Sequence, residues 1–208
     1  MDKTRGRREA DAQAIPRSVC DLPEARETHH SFFTLAHGTD FITTGDENTI
    51  EGRITIRRSV GEVFEFYRDF RNLPRFLGDV ISVEQIDPGT FRWTIQGSLG
   101  VRVNTTINVT EVRTNKLIPY ETVGLVGLKG YWEVHLAPGS ECGETEIREV
   151  MRIPFGRLGR AALGLIGKFP ADEVASNLHR LKEVMETGRV TDTSYAVKGK
   201  FQQHSNQT

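Results

Sequence analysis

From Asp79 to Pro154 the chain hardly stops alternating apolar and polar residues, and this constrains its fold more than any other feature. Six segments carry the pattern: DVISVEQI, TFRWTIQG, VRVNTTINVTEV, KLIPYETVG, GYWEVHLAP and GETEIREVMRIP. A period of two sends successive side chains to opposite faces, so each segment predicts a strand buried on one side. Asp87-Pro88-Gly89 and the later glycines mark short turns, which join antiparallel neighbours. Pro119 cannot donate to a ladder and marks an edge, a bulge or a break.

Two patterns flank this run. TIEGRITIRRS (49–59) alternates as well, with Ile50, Ile54 and Ile56 on its apolar face. Ser59 and Glu62 stand three apart, the spacing of a capping box, and predict a helix with Val63, Phe66 or Tyr67, and Phe70 on one face. Asn72 is placed to cap a second short helix that takes Leu73 and Pro74 into its first turn. At the far end Val174, Leu178, Leu181 and Met185 recur at helical spacing, and Gly188 is a natural terminator. The order is strand, two short helices, six strands, one long helix. It predicts an α+β domain: a curved antiparallel sheet of about seven strands around a long C-terminal helix, with two short helices after the first strand.

A chain of 208 residues suits one such domain with appendages. Residues 1–48 show no sustained period and predict a disordered leader, with SFFTLA (31–36) its one apolar patch. The ordered domain spans 49–188, and 189–208 predict a disordered tail. His29, His30 and His37 lack a carboxylate or cysteine at ligand spacing, and Cys20 and Cys142 form neither a zinc motif nor a disulfide framework, so no metal is expected. No cofactor is expected either: GRLGRAALGLIGKF fails the phosphate-loop pattern because Phe169 follows Lys168. A net charge of -1 argues against a nucleic-acid partner. With neither a secretory signal nor a spanning apolar run, a reducing, cytoplasmic setting is the expectation.

VGEVFEFYRDFRNLPRFLGDVISVEQID and FPADEVASNLHRLKEVMETG resemble the opening and closing signatures of the SRPBCC superfamily. Its members include START lipid-transfer domains, polyketide cyclases and coenzyme Q-binding proteins. The resemblance covers roughly Ile50 to Gly188 and implies a helix-grip (START/Bet v 1-like) fold. It implies a cavity for an apolar molecule between the sheet and the last helix. The sequence departs from the bacterial cyclase/dehydrase-like members at Asn104, where they often carry tryptophan, and at IPFGRLGR, where a proline/glycine segment is common.

The inward faces give the candidate residues. Phe66, Phe70, Leu73 and Phe76 line the two short helices, and FRNLPRF becomes an entrance, where truncating Leu73 or Phe76 should affect ligand uptake more than stability. Trp93, Ile107, Trp132 and Met151 line the strands, and Val174 and Leu178 the last helix. Each serves as wall, core or both. Glu149 alternates with Thr145, Ile147, Met151 and Ile153 and so points inward, where burial raises a carboxyl pKa. It is the catalytic candidate or polar anchor, against the alternatives of an arginine-paired structural carboxylate or a bulge. Tyr120, beside Ile118 and Thr122, is a second candidate for contact or proton transfer. His135 and His179 fall outside the apolar faces. Arg157, Arg160 and Lys168 edge a segment that either covers the cavity or touches an anionic membrane surface during exchange. The favoured function is a carrier of a hydrophobic small molecule (lipid, quinone or polyketide-like). The alternative is an aromatase/cyclase or dehydratase working through Glu149.

Overall fold

A computed structural model describes residues 41–44, 49–96, 100–123, 129–152 and 170–202. The readings of SFFTLA, the three leader histidines, Ile153 and the segment 154–169 lie outside them. The described elements are β1 (Phe41–Thr44), β2 (Thr49–Ile56), α1 (Val60–Arg68), a 3-10 helix (Phe70–Arg75), β3 (Val80–Asp87), β4 (Thr90–Gln96), β5 (Arg102–Val109), β6 (Leu117–Val123), β7 (Lys129–Pro138), β8 (Thr145–Arg152) and α2 (Pro170–Thr187). All strands join one antiparallel sheet in the order β1-β2-β8-β7-β6-β5-β4-β3. The expected strands, short helices and closing helix are all present. β1, within the stretch read as leader, adds an eighth strand against β2.

The order explains the shape. β2 pairs with β8 while β3 takes the far edge, so the α1 and 3-10 segment must cross from one side of the sheet to the other. Register shifts at Val80/Ser82 and Gln85/Asp87 bend the β3–β4 hairpin. Pro119 lies where β5 stops pairing with β6: the last register pair is Val109↔Tyr120, and beyond it the Thr110 N–H and hydroxyl reach the Pro119 carbonyl. Its missing N–H therefore leaves no gap in the ladder.

Local signals set the helix start. Ser59 Oγ accepts from Glu62 N, and the Glu62 carboxylate accepts from Ser59 N at 3.0 Å, completing the capping box. The second cap is different from expectation. Asp69 rather than Asn72 caps the 3-10 helix, its carboxylate accepting from Arg71 N at 3.2 Å. Asn72 lies inside the helix and donates to the Phe66 carbonyl at 3.0 Å. Asp69 turns the chain three residues earlier because a short carboxylate reaches the first free N–H groups. Val101, which opens the alternating segment VRVNTTINVTEV, stands outside the strand and is exposed.

The core lies between the inward sheet face, α1, the 3-10 helix and α2. α2 buries Val174, Leu178, Leu181 and Val184 and ends at Gly188, whose φ of 75° is the left-handed terminator conformation. Gly52 on β2 sets how closely α2 approaches. A Cβ there would stand 2.7 Å from Leu178 Cδ1 and 2.8 Å from Val174 Cγ1. Gly52→Val should push α2 off the sheet and cost about 1–3 kcal/mol, read by urea unfolding.

Residues 189–202, expected to belong to a disordered tail, pack back as a strap. Thr191 N and Asp192 N donate to the Glu183 carboxylate at 2.9 and 3.1 Å. Arg180, with no exposed surface, donates to Phe76 O at 2.7 Å, Ser194 O at 2.6 Å and Asn177 Oδ1 at 2.5 Å. Val197 N donates to Gly78 O at 3.0 Å, and Lys200 Nζ donates to Leu77 O and Val80 O. The strap thus ties α2 to the connector between the 3-10 helix and β3. Polar composition concealed it, because its contacts run through backbone carbonyls and one buried guanidinium.

Candidate functional site

Glu149 is the one carboxylate on the inward face of the described strands that is fully enclosed, at 2% exposure. The β8 alternation puts it there: Arg148 and Arg152 face outward and pair with Glu51 and Glu133 at 3.1 Å each. In register it lies between Gly52 of β2 and Val134 of β7. Neither neighbour offers a polar group, and Leu178 and Val174 close over Gly52. No cation pairs with Glu149 among the described residues. Nor does it sit on a bulge, since the β2–β8 and β7–β8 registers run unbroken past it.

Burial pushes the Glu149 carboxyl up to about 7, with Tyr67 acting weakly in the other direction. Tyr67 comes from the last turn of α1 and Tyr120 from β6, and both hydroxyls are held well above their usual range, first by burial and then by the Glu149 charge. Tyr67 Oη lies near enough to Glu149 and Tyr120 to bias their ionisation, yet closes no hydrogen bond to either. Among the described residues, three buried side-chain polar atoms stand without a hydrogen-bond partner: Tyr67 Oη, Trp93 Nε1 and Glu149 Oε2.

Aromatic rings join these groups. Phe70 stacks on Phe91 at 4.9 Å and meets Tyr120 edge-on at 5.4 Å and Trp93 at 6.1 Å. Tyr120 lies 6.1 Å from Trp93 and stacks on Trp132 at 5.9 Å. Trp132 and Met151, paired in register, remain half-buried on the same inward face, as do Ile95 and Val103 at the end of β4 and the start of β5. The site therefore has a polar centre at Glu149 and Tyr67, an aromatic wall, and a less covered end.

The candidates divide accordingly. Tyr120 lies within reach of the Glu149 charge, and Phe70, Trp93 and Trp132 pack on the Tyr120 ring. Met151 stands two residues along β8 on the same face, and Val174 and Leu178 cover Gly52 beside Glu149. Leu73, Phe76 and Ile107 are fully enclosed in the core. The entrance expected at FRNLPRF is thus a core corner, because the strap and α2 cover it. Truncating Leu73 or Phe76 leaves a cavity there and acts on stability first. Phe66 is half-buried at the rim, beneath the Arg75 guanidinium at 5.0 Å, while Tyr67 takes the inward position that the helix period left open between them. His135 pairs with Glu133 on the outer face, and His179 is half-exposed. Tyr67 was not singled out as a site residue, and its signal was a hydroxyl on an apolar helical stripe. Gly52 gave no signal, since its role is the absence of a side chain under α2.

A family model described as polyketide cyclase / dehydrase and lipid transport matches residues 48–186. The chain belongs to this family. The match confirms the SRPBCC resemblance and ends just before the strap. A crystal structure of a Deinococcus radiodurans protein is similar at 22% identity over 67% of this chain and 98% of that one, with a TM-score of 0.52. An Arthrobacter aurescens protein solved by NMR is similar at 11% identity over 81% and 98%, with a TM-score of 0.60. DynU16, a protein of the dynemicin biosynthetic locus, is similar at 20% identity over 68% of this chain and 48% of its own, with a TM-score of 0.51. At these identities the likeness is one of fold. No curated protein matches. Among the described residues no helix is long and apolar enough to cross a membrane, and no side-chain cluster could hold a metal ion.

Proposed function

We propose that the domain holds a hydrophobic small molecule, such as a lipid, a quinone or a polyketide-like ring system, and carries it unchanged. The observation that supports this best is Glu149. Its carboxyl is buried among apolar side chains with one oxygen unpartnered. Leaving such a group unsatisfied costs about 1–3 kcal/mol, which an apolar ligand with one polar end would recover. The half-buried Trp132 and Met151 beside it offer apolar contact surface. The family's description, which includes lipid transport, supports the same reading.

A specific observation keeps the enzymatic reading as the second. A carboxyl poised at about 7, beside two tyrosines, is suited to taking and returning a proton at neutral pH, as a cyclase or dehydratase requires. Organic extraction of the purified protein followed by mass spectrometry separates the two. The carrier reading expects an apolar molecule in near-stoichiometric yield. An empty extract, together with turnover of a polyketide analogue that Glu149→Gln abolishes, would replace it with the enzyme.

A further inference from the structure

An open groove of about 390 Å³ lies where the 3-10 helix, the end of α2 and the strap meet. Arg75 comes from the first, Val184 from the second, and Arg189, Val190, Lys200 and Phe201 from the third. Gly188, with its φ of 75°, turns the chain back from α2 and so brings Arg189 and Val190 to the groove. The family match stops at residue 186, so four of these six residues lie beyond it. Neither Glu149 nor any residue of its aromatic wall lines the groove.

The described residues that line it include three cations and no carboxylate. Lys200 Nζ is held in place by Leu77 O, Val80 O and the Asp79 charge, and the two carbonyls leave one ammonium N–H for a further acceptor. The exposed Arg75 guanidinium lies 5.0 Å from the Phe66 ring and donates through Nη1 to Asn72 Oδ1 at 3.3 Å, which leaves Nε and Nη2 for other acceptors. Carboxylates nearby are engaged elsewhere. Glu183 accepts from Thr191 N and Asp192 N, Glu186 pairs with Arg57 at 3.0 Å, and Asp192 stands 3.6 Å from Arg180. Residues 203–208, QHSNQT, contain no acidic side chain. Val184, Val190 and Phe201 supply the apolar part of the lining.

We propose that this groove binds a soluble phosphate monoester carrying a small apolar group. Arg75, Arg189 and Lys200 take the phosphate, and Val184, Val190 and Phe201 take the apolar group. Three positive groups offset a dianion better than a single carboxylate charge, and a guanidinium matches phosphate oxygens two at a time. The site stands independently of what the domain holds near Glu149. Because its residues come from three elements, an occupant also fastens the strap to the domain.

Amide-resolved NMR titration of the full chain with 2-naphthyl phosphate, 2-naphthol and inorganic phosphate tests this. The ester should shift the amides of Arg75, Arg189, Val190, Lys200 and Phe201, and bind there about tenfold more tightly than either of the other two. Arg75→Gln and Arg189→Gln change exposed side chains, so each should keep the parent melting temperature and weaken the ester about fivefold. The ester should also slow proteolysis within 189–202. Equal binding of 2-naphthol at these amides would remove the role of charge and overturn the proposal. Equal binding of inorganic phosphate would leave an adventitious ion only, and shifts confined to residues around Glu149 would move the ester out of the groove. Binding to phosphatidate-containing vesicles without binding of the soluble ester would make the groove a membrane contact instead.

Discussion

Arg180→Ala is expected to lower the unfolding free energy by about 3–5 kcal/mol and the melting temperature by roughly 10 °C. The reason is the company this side chain keeps. Its guanidinium has no exposed surface and donates to two backbone carbonyls, Phe76 O and Ser194 O, that belong to different parts of the chain. Asp192 stands 3.6 Å from it and Phe201 lies 5.2 Å away across the ring face. Removal would leave buried acceptors unmet and open a hole beneath the strap. Gly78 shows how closely these pieces fit, since a Cβ there would stand 2.6 Å from Tyr195 O and 2.9 Å from an Arg180 nitrogen. Arg180→Met keeps most of the volume and loses only the donors, so comparing the two separates packing from hydrogen bonding. Limited proteolysis supplies the local readout: cleavage within 189–202 should accelerate in both variants. A loss below about 1 kcal/mol with an unchanged cleavage pattern would mean that the strap is held by something else.

Glu149→Gln should make the protein more stable at alkaline pH, and the pH profile carries the test. The carboxyl titrates at about 7 when folded, against 4.5 for the ordinary group. Its folded-state pKa is raised, so the folded chain holds more protons than the unfolded chain between these values. Stability is therefore lost as pH rises from about 4.5 through 7, and the penalty is fully present above about 8. A shift of this size corresponds to about 3 kcal/mol. Urea unfolding from pH 4 to pH 9 should show parent and variant converging at the acid end, with the variant ahead at the alkaline end. Parallel profiles would mean that the carboxyl reaches water. A bound ligand that hydrogen-bonds the neutral acid should deepen the slope, because it favours the protonated form.

Much of this was legible in local patterns. Period-two alternation gave the strands and turned Glu149 inward, and the three-residue spacing of Ser59 and Glu62 gave the start of α1. The same reasoning failed where two local signals competed or where the partner was distant. Asp69 and Asn72 are both good caps, and only the Asp69 carboxylate met the free N–H groups. Tyr67 and Phe66 both fit a helical stripe one residue apart, and the angle of α1 on the sheet chose Tyr67. The tail looked polar and patternless because a strap bound through backbone carbonyls needs no apolar period of its own.

The sequence by itself determined which elements form and which face each one buries, because those depend on neighbours within a turn or a hairpin. Tertiary structure decided what the buried faces meet. It set α2 against Gly52, enclosed Glu149 with no cation beside it among the described residues, brought Tyr67 to Glu149 and Tyr120, and made Arg180 the clamp of the strap. These outcomes depend on groups brought together from opposite layers of the fold, and a one-dimensional period carries no information about what lies across the gap.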